Sequence, residues 1–205
     1  LKDNGGTPTN GHVLTVDSSG EAGFAAAPAA TSLSSDSTNR STSVGTNAGN
    51  SLTSNSYDNV FVGYGAGYSV TGGDGERNTF VGFNCGQNVA SYRYNTAMGW
   101  EALQYSTSDF NTAIGYGALE DNTSGGGNTA VGYLTLANNT TGIHNTGIGN
   151  GAIVYNTTGE KNTALGYNTL GSNTTGDRNL AIGWGTLDGA DTENDNIAIG
   201  YDALG

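Results

Sequence analysis

The 205-residue chain holds 35 glycines and only 12% charged residues, which leaves too few large aliphatic side chains for one central core; glycine runs at about 7% in ordinary globular chains. Six basic against eighteen acidic residues give a net charge of -12 at pH 7, a balance that repels nucleic acid and anionic membrane surfaces alike. One cysteine excludes an intrachain disulfide framework, and no apolar run approaches the ~18 residues that a membrane-spanning helix needs.

In chain order, the stretch GHVLTVDSSGEAGFAAAP from Gly11 to Pro28 comes first. It sets a strand-like HVLTV before an Asp-Ser-Ser-Gly turn and then Phe24, which predicts a small β-hairpin module over 1–24. The Ala, Ser and Thr-rich run from Ala25 to Thr38 reads as a connector, placed at 25–40. From 41 to 205 the chain repeats itself, and a fixed period has to be read before any single element.

The ruler is the string Asn, Thr or aliphatic, small or Phe, aliphatic, Gly. Its anchors fall at Asn59, Asn78, Asn95, Asn111, Asn128, Asn145, Asn162, Asn179 and Asn196, with a degenerate copy, STSVGTNAG, from Ser41. The spacings are 18, 19, 17 and 16, and then 17 five times. From Asn111 to Arg178 the unit reads N-T-[A/G]-[I/V/L]-G-x-x-[A/T]-[L/I]-x-x-N-T-[T/S]-G-x-x. Glycine recurs inside every unit, β-branched residues crowd around it, and no 3.6-residue stripe survives, so helices are excluded. Each NTAIGY-like run reads as a strand, and N-T-T-G is expected to supply Asn and Gly for positive φ or a tight bend. The expected fold is all-β: a parallel β-solenoid, or β-roll, of about ten 17-residue coils, the last stopping at Gly205. Coils stack about 4.8 Å apart.

Numbering each coil from its Asn as position 1, strand parity sorts the side chains into ladders. Position 4 is always aliphatic: Val44, Val62, Val81, Met98, Ile114, Val131, Ile148, Leu165, Ile182 and Ile199. Position 6, on the same face, carries Tyr64, Phe83, Trp100, Tyr116, Tyr133, Tyr167, Trp184 and Tyr201, with Thr46 and Asn150 as exceptions. The opposite face carries Phe61, Phe80 and a run of alanines at position 3, followed by an unvarying Gly at position 5. Strands apolar on both faces are normally covered on both. A thin roll has one interior, so the second face predicts cover by sister copies and hence a homo-oligomer. The parity of positions 4 and 6 predicts that most rings are buried; Trp100, Trp184 and Tyr201 are the candidate glycan contacts.

The NTAIG, NTAVG and NLAIG runs resemble the head repeats of trimeric autotransporter adhesins, over Ser41 to Gly205. That resemblance implies left-handed parallel β-rolls packed about a threefold axis, so the expected oligomer is a homotrimer. The period of 17 is longer than that family's usual unit. The N-terminal stretch is similar to the short modules that precede repeat shafts in phage tail fibres. Together these imply an extracellular structural fibre of a virion tail or similar appendage, acting as a rigid shaft and in host-surface attachment. The expected partners are sister copies, other fibre or tail proteins and host-surface glycans, with no nucleic acid and no membrane insertion. A bacterial trimeric autotransporter-type surface adhesin is the alternative.

Residues for chemistry are sparse, and no catalytic, metal-ligating or cofactor-binding residue is expected. His12 lies in the hairpin and His144 in a variable last position, with no Cys or carboxylate at metal-ligand spacing. Asp74, Glu76, Glu120, Asp121, Asp188, Asp191 and Glu193 read as solvated turn charges rather than a glycan-cleaving pair. GGDG at 72–75 lacks the full calcium nonapeptide. Cys85 shares the column of Ala66, Ala102 and Ala118 and reads as a small packed residue. The row Thr79, Thr96, Thr112, Thr129, Thr146 and Thr163 is similar to ice-binding ladders but reads as ordinary β-branched packing. Sequons at Asn122, Asn139, Asn156 and Asn173 fall on the repeat, where turn chemistry accounts for them.

Overall fold

In a computed structural model, the structure describes residues 40–205 apart from 72, 74, 190 and 191, together with the backbone of three earlier strands. Strands β1 (His12–Val16) and β2 (Ala22–Ala26) pair antiparallel, with Leu14 opposite Phe24. β3 (Leu33–Asp36) lies in the stretch expected to be a connector and pairs antiparallel with β4 (Ser41–Val44), Leu33 opposite Val44. It covers the edge that the first coil would otherwise present unpaired, the usual reason for a short protective strand.

From β4 onward each coil contributes one short strand: β5 (Val60–Val62), β6 (Thr79–Val81), β7 (Thr96–Met98), β8 (Thr112–Ile114), β9 (Thr129–Val131), β10 (Thr146–Ile148), β11 (Thr163–Leu165), β12 (Leu180–Ile182) and β13 (Ile197–Ile199). With β4 these make ten parallel strands in one sheet, ordered as in the sequence. No helix occurs among the described residues. The register never slips: Thr129 pairs with Thr146, Ala130 with Gly147 and Val131 with Ile148, and equivalent residues pair at every other step. The chain is a parallel β-solenoid.

Corners close each coil. Position 17 takes φ between 55° and 64° in residues as different as Arg77, Phe110 and His144, and position 7 does so at Glu101 and Asn168 with φ 55° and 49°. The leucines at position 9, such as Leu119 and Leu136, also sit in the left-handed region, at φ 52° and 53°. Such conformations cost about 1 to 3 kcal/mol each and persist only where the surroundings enforce them; here the enforcement is the hydrogen-bonded neighbour above and below. The bends therefore fall at 7, 9 and 17, whereas the Asn of N-T-T-G, expected to supply them, has no positive φ at Asn122, Asn139, Asn156 or Asn173. Those amides are fully buried instead.

The core is built from positions 3, 8, 9 and 12, and its volume is shared between two of them. Phe61 and Phe80 fill position 3 of their coils, stacked at 5.4 Å, and face Gly67 and Gly86 at position 9. A Cβ on Gly86 would lie 2.5 Å from the Phe80 ring. Where position 3 is Ala97, Ala113, Ala130 or Ala164, position 9 is Leu103, Leu119, Leu136 or Leu170, all buried. Phe with Gly and Ala with Leu fill the same space, a volume-conserving exchange. Gly86→Leu alone is expected to clash, and Phe80→Ala alone to leave a cavity costing roughly 3 to 5 kcal/mol. The double variant recreates the Ala97 and Leu103 pairing and is expected to be more stable than either single one. Denaturant titration of all four proteins measures this coupling.

Candidate functional site

Position 3 points inward, so positions 2, 4 and 6 form the outer face of the sheet. The alternation is read directly from burial: in Val60, Phe61 and Val62, or Thr163, Ala164 and Leu165, only the middle residue is buried. The rings that parity placed with position 4, expected to be mostly buried, are instead exposed in the single chain because that face points away from the coil interior: Tyr64 50%, Trp100 48%, Tyr133 50% and Trp184 47%, with Tyr201 at 75%. The aliphatic column beside them is also open, with Met98, Ile114, Ile148, Leu165 and Ile199 all exposed. A continuous apolar strip of this length marks an interaction surface.

The rings stack on one another from coil to coil. Tyr64, Phe83 and Trp100 have centroids 5.3 and 4.2 Å apart, and Tyr116 and Tyr133 are 5.3 Å apart. Tyr167, Trp184 and Tyr201 form a third group at 5.6 and 4.9 Å, with interplanar angles of 9° and 6°. Asn150 stands between the second group and the third. Stacking turns ring edges outward. Trp184 is sandwiched on both faces, whereas Trp100 and Tyr201 each have a single stacking neighbour, Phe83 and Trp184. The three candidate glycan residues thus share one face, but Trp100 lies five coils from Trp184, about 24 Å along the rod.

Beneath this face run two polar ladders that the sequence did not announce. The anchor asparagines are fully buried from Asn59 to Asn162. The backbone N–H of Asn145 donates to Asn128 Oδ1 at 2.8 Å, and that of Asn162 to Asn145 Oδ1 at 2.9 Å. The Nδ2 of Asn78, Asn128, Asn145, Asn162 and Asn179 donates to the carbonyl of its coil's position 15, as from Asn145 to Gly159 at 2.8 Å and from Asn162 to Gly176 at 2.7 Å. Ser41 does the same with one hydroxyl, donating to the Ser56 carbonyl and accepting from the Asn59 N–H. The second ladder is the sequon column: Asn139, Asn156 and Asn173 each donate to the Oδ1 one coil earlier, at 2.7, 2.7 and 2.9 Å. Sugar addition at these sealed nitrogens is incompatible with the folded coil. The signal available in the sequence was an Asn with a Gly fourteen residues later in successive coils.

The corner before the strand carries an ion ladder. Arg40 donates two hydrogen bonds to Asp58, at 2.7 and 2.8 Å, and Arg178 two to Asp195, at 2.6 and 2.9 Å. These bonds hold the Asp58 and Asp195 carboxyls below the usual carboxylate range. Arg77 pairs with Glu76, and Arg93 reaches both Glu76 and Asp109. His144 stands exposed in this same column. On the corner after the strand, burial pushes the Glu120 carboxyl upward, helped by Asp121 and Glu101. Among the described residues no three His, Cys, Asp or Glu side chains group to hold a metal ion; Asp74, Asp191 and the side chain of His12 lie outside them. The outward Thr row is half-buried or exposed on the open face rather than packed inside the coil.

Cys85 is fully buried, and burial pushes its thiol up to about 12. Between the ordinary thiol value of about 8.5 and that level, the folded chain keeps a proton that the unfolded chain loses. Rising pH across this window therefore weakens folding. Iodoacetamide at pH 8 is expected to leave the native protein unmodified and to alkylate Cys85 only in denaturant, as read by intact mass.

No protein family, no curated protein and no solved structure matches the chain. What the fold and the site define is a class: a parallel β-solenoid whose inner face is filled and whose outer sheet face is an open apolar ladder.

Proposed function

We propose that the chain forms the stiff shaft of an extracellular fibre, in a virion tail or a comparable appendage, as three copies packed through the face of positions 2, 4 and 6. The role is structural and adhesive rather than catalytic. The observation that carries it is an outer face on which most rings and aliphatic side chains, among them Met98, Ile114, Ile148 and Leu165, are exposed in a chain whose interior is already full. Ten stacked strands at about 4.8 Å give each copy a straight edge on which a sister can lie. In this packing Trp100, Trp184 and Tyr201, all at position 6, belong to the contact between copies, and host-surface glycans are a further partner. Other fibre or tail proteins are the remaining partners.

Native mass tests the reading. Sedimentation equilibrium is expected to give three times the 20.7 kDa of one chain. Ile114→Lys and Ile148→Lys together are expected to reduce it to one. A soluble, folded single chain with no tendency to associate overturns the proposal. A bacterial surface adhesin of trimeric autotransporter type shares the same packing; a membrane-anchoring β-barrel encoded downstream distinguishes it from a tail fibre. The outward Thr row also allows an ice-binding use, which thermal hysteresis would reveal.

A further inference from the structure

The corner before the strand carries an aromatic stack of its own, apart from the face of positions 2, 4 and 6. Arg77, Tyr94 and Phe110 occupy position 17 of successive coils. The Tyr94 and Phe110 rings lie 5.1 Å apart and 4° from parallel, and the Arg77 guanidinium, one coil earlier, lies 5.5 Å from the Tyr94 centroid. The stack stops at Phe110. In the next coil the column holds Gly127 with Gly126 beside it, and of the nine Asn anchors only Asn128 is preceded by glycine at both places. The backbone demands neither glycine. Gly127 takes φ 70°, close to the 59°, 64° and 59° of Tyr94, Phe110 and His144, and Gly126 has no positive φ. A Cβ on Gly126 would meet nothing nearer than the Asp109 carbonyl oxygen at 3.2 Å. The pair therefore leaves room rather than making a bend. Among the described residues Tyr94 is the one ring stacked on Phe110, so the Phe110 face that looks toward the two glycines is open. Phe110 is 61% exposed, against 42% for Tyr94.

We infer that this notch is a saccharide site, in which a neutral β-linked glucose or galactose ring lies on the open face of Phe110 at the level of Gly126 and Gly127. The inference deepens the role proposed above and rests on its adhesive half, giving host-surface glycans a place that packing through positions 2, 4 and 6 leaves free. A ring in van der Waals contact with Phe110 stands about 3.5 to 4 Å above it, within the coil step of about 4.8 Å. One sugar thus takes the height of the missing side chain. β-Glucose and β-galactose suit this floor because the hydrogens on C1, C3 and C5 stand on one side of the ring and make it an apolar face. The rim supplies what hydroxyls need. The Asp109 carboxylate, next to Phe110 in the chain, accepts from the Arg93 N–H at 2.9 Å, and its four or so lone-pair sites leave capacity for more. From the far side the His144 ring overhangs the notch, its Nδ1 2.6 Å from where a Gly127 Cβ would stand. A neutral imidazole both donates and accepts. An apolar wall with a few convergent polar groups is the usual make-up of a small-ligand site. Anionic sugars fit poorly, since Asp109 and the net charge of -12 oppose them.

An array of immobilised β-glucosides, β-galactosides, α-mannosides and sialylated glycans, probed with the full chain, tests the site. Binding is expected on the neutral β-linked sugars and is expected to be weakest on the sialylated ones. Phe110→Ala removes the floor, and Gly127→Tyr fills the notch by continuing the stack; each is expected to lower binding about tenfold or more. The backbone accepts Gly127→Tyr because Tyr94 holds the same position at φ 59°, and the exposed His144 side chain can swing outward. Tyr155→Ala, at a ring 60% exposed in position 11, is the control and is expected to bind as the parent does. Sugar binding that survives both notch variants, binding confined to sialylated glycans, or no binding to any sugar overturns the site. Native mass is taken on the same samples. A multimer that binds no sugar sinks the notch alone, whereas a single chain that binds sugar upholds the notch and overturns the packing.

Discussion

Gly132→Ala is expected to destabilise the protein by roughly 3 to 5 kcal/mol, the sum of a backbone forced into a region that L residues avoid and an overpacked contact. Gly132 has φ 138°, and a Cβ there would stand 2.2 Å from the carbonyl oxygen of Gly149 in the next coil. That oxygen belongs to backbone, which cannot step aside without opening the ladder above it. The same geometry recurs up the column, as at Gly149 with φ 134° and 2.1 Å to the Gly166 oxygen. Gly151→Asn is the control. It has φ 68°, nothing closer than 3.6 Å to an added Cβ, and Asn84 and Asn168 in equivalent positions at φ 50° and 49°. A change within about 0.5 kcal/mol is expected there. Urea titration followed by circular dichroism, at fixed protein concentration, measures both. If Gly132→Ala were as mild as Gly151→Asn, the close coil-to-coil approach would be wrong.

Asn145→Ala is expected to cost about 3 kcal/mol, since a buried donor left unpaired costs about 1 to 3 kcal/mol beyond the lost bonds themselves. The side chain accepts from the Asn162 N–H and donates to the Gly159 carbonyl. Removing it strands that N–H inside the coil, whereas Gly159 keeps the bond from Asn156. Asn145→Ser is expected to recover about half of the loss, since a lone hydroxyl serves both functions at Ser41, at 3.0 and 3.1 Å. Equal losses for Ala and Ser would mean that volume, not hydrogen bonding, sets the requirement at position 1. Thermal and urea denaturation of the two variants decide this.

The period, the strand at the start of each coil and the glycine at position 5 were legible in the sequence because all three depend on backbone geometry, which leaves a strict mark. Which face lies inside was not legible from the strand alone, because Phe61 and Val62 are equally apolar. The choice is made across the coil, by Gly67 opposite Phe61 and Leu103 opposite Ala97, and it emerges only when positions 3 and 9 are read as one volume. The asparagines were misread for a different reason. Asn favours turns and also satisfies buried backbone groups, so Asn139 in N-T-T-G looks the same in sequence whether it bends the chain or is sealed within it. β3 was hidden because LSSD has no apolar alternation; it pairs because β4 offers it an edge. At the open face, the aromatic column was legible as a column, but the coil-to-coil stacking that covers both faces of Trp184 was not.

The sequon ladder ends at a missing rung. Asn173 Oδ1 is buried without a partner, and the residue seventeen places on is Ala190, which has no side-chain amide to offer. Coil-to-coil contacts act in series when a rod is pulled along its length, so tensile strength is set by the poorest joint and not by the average. Within the run from Asn122 to Asn173 three joints carry a side-chain rung, and the joint just beyond Asn173 lacks one, so tension along the rod finds that joint weaker than the three before it.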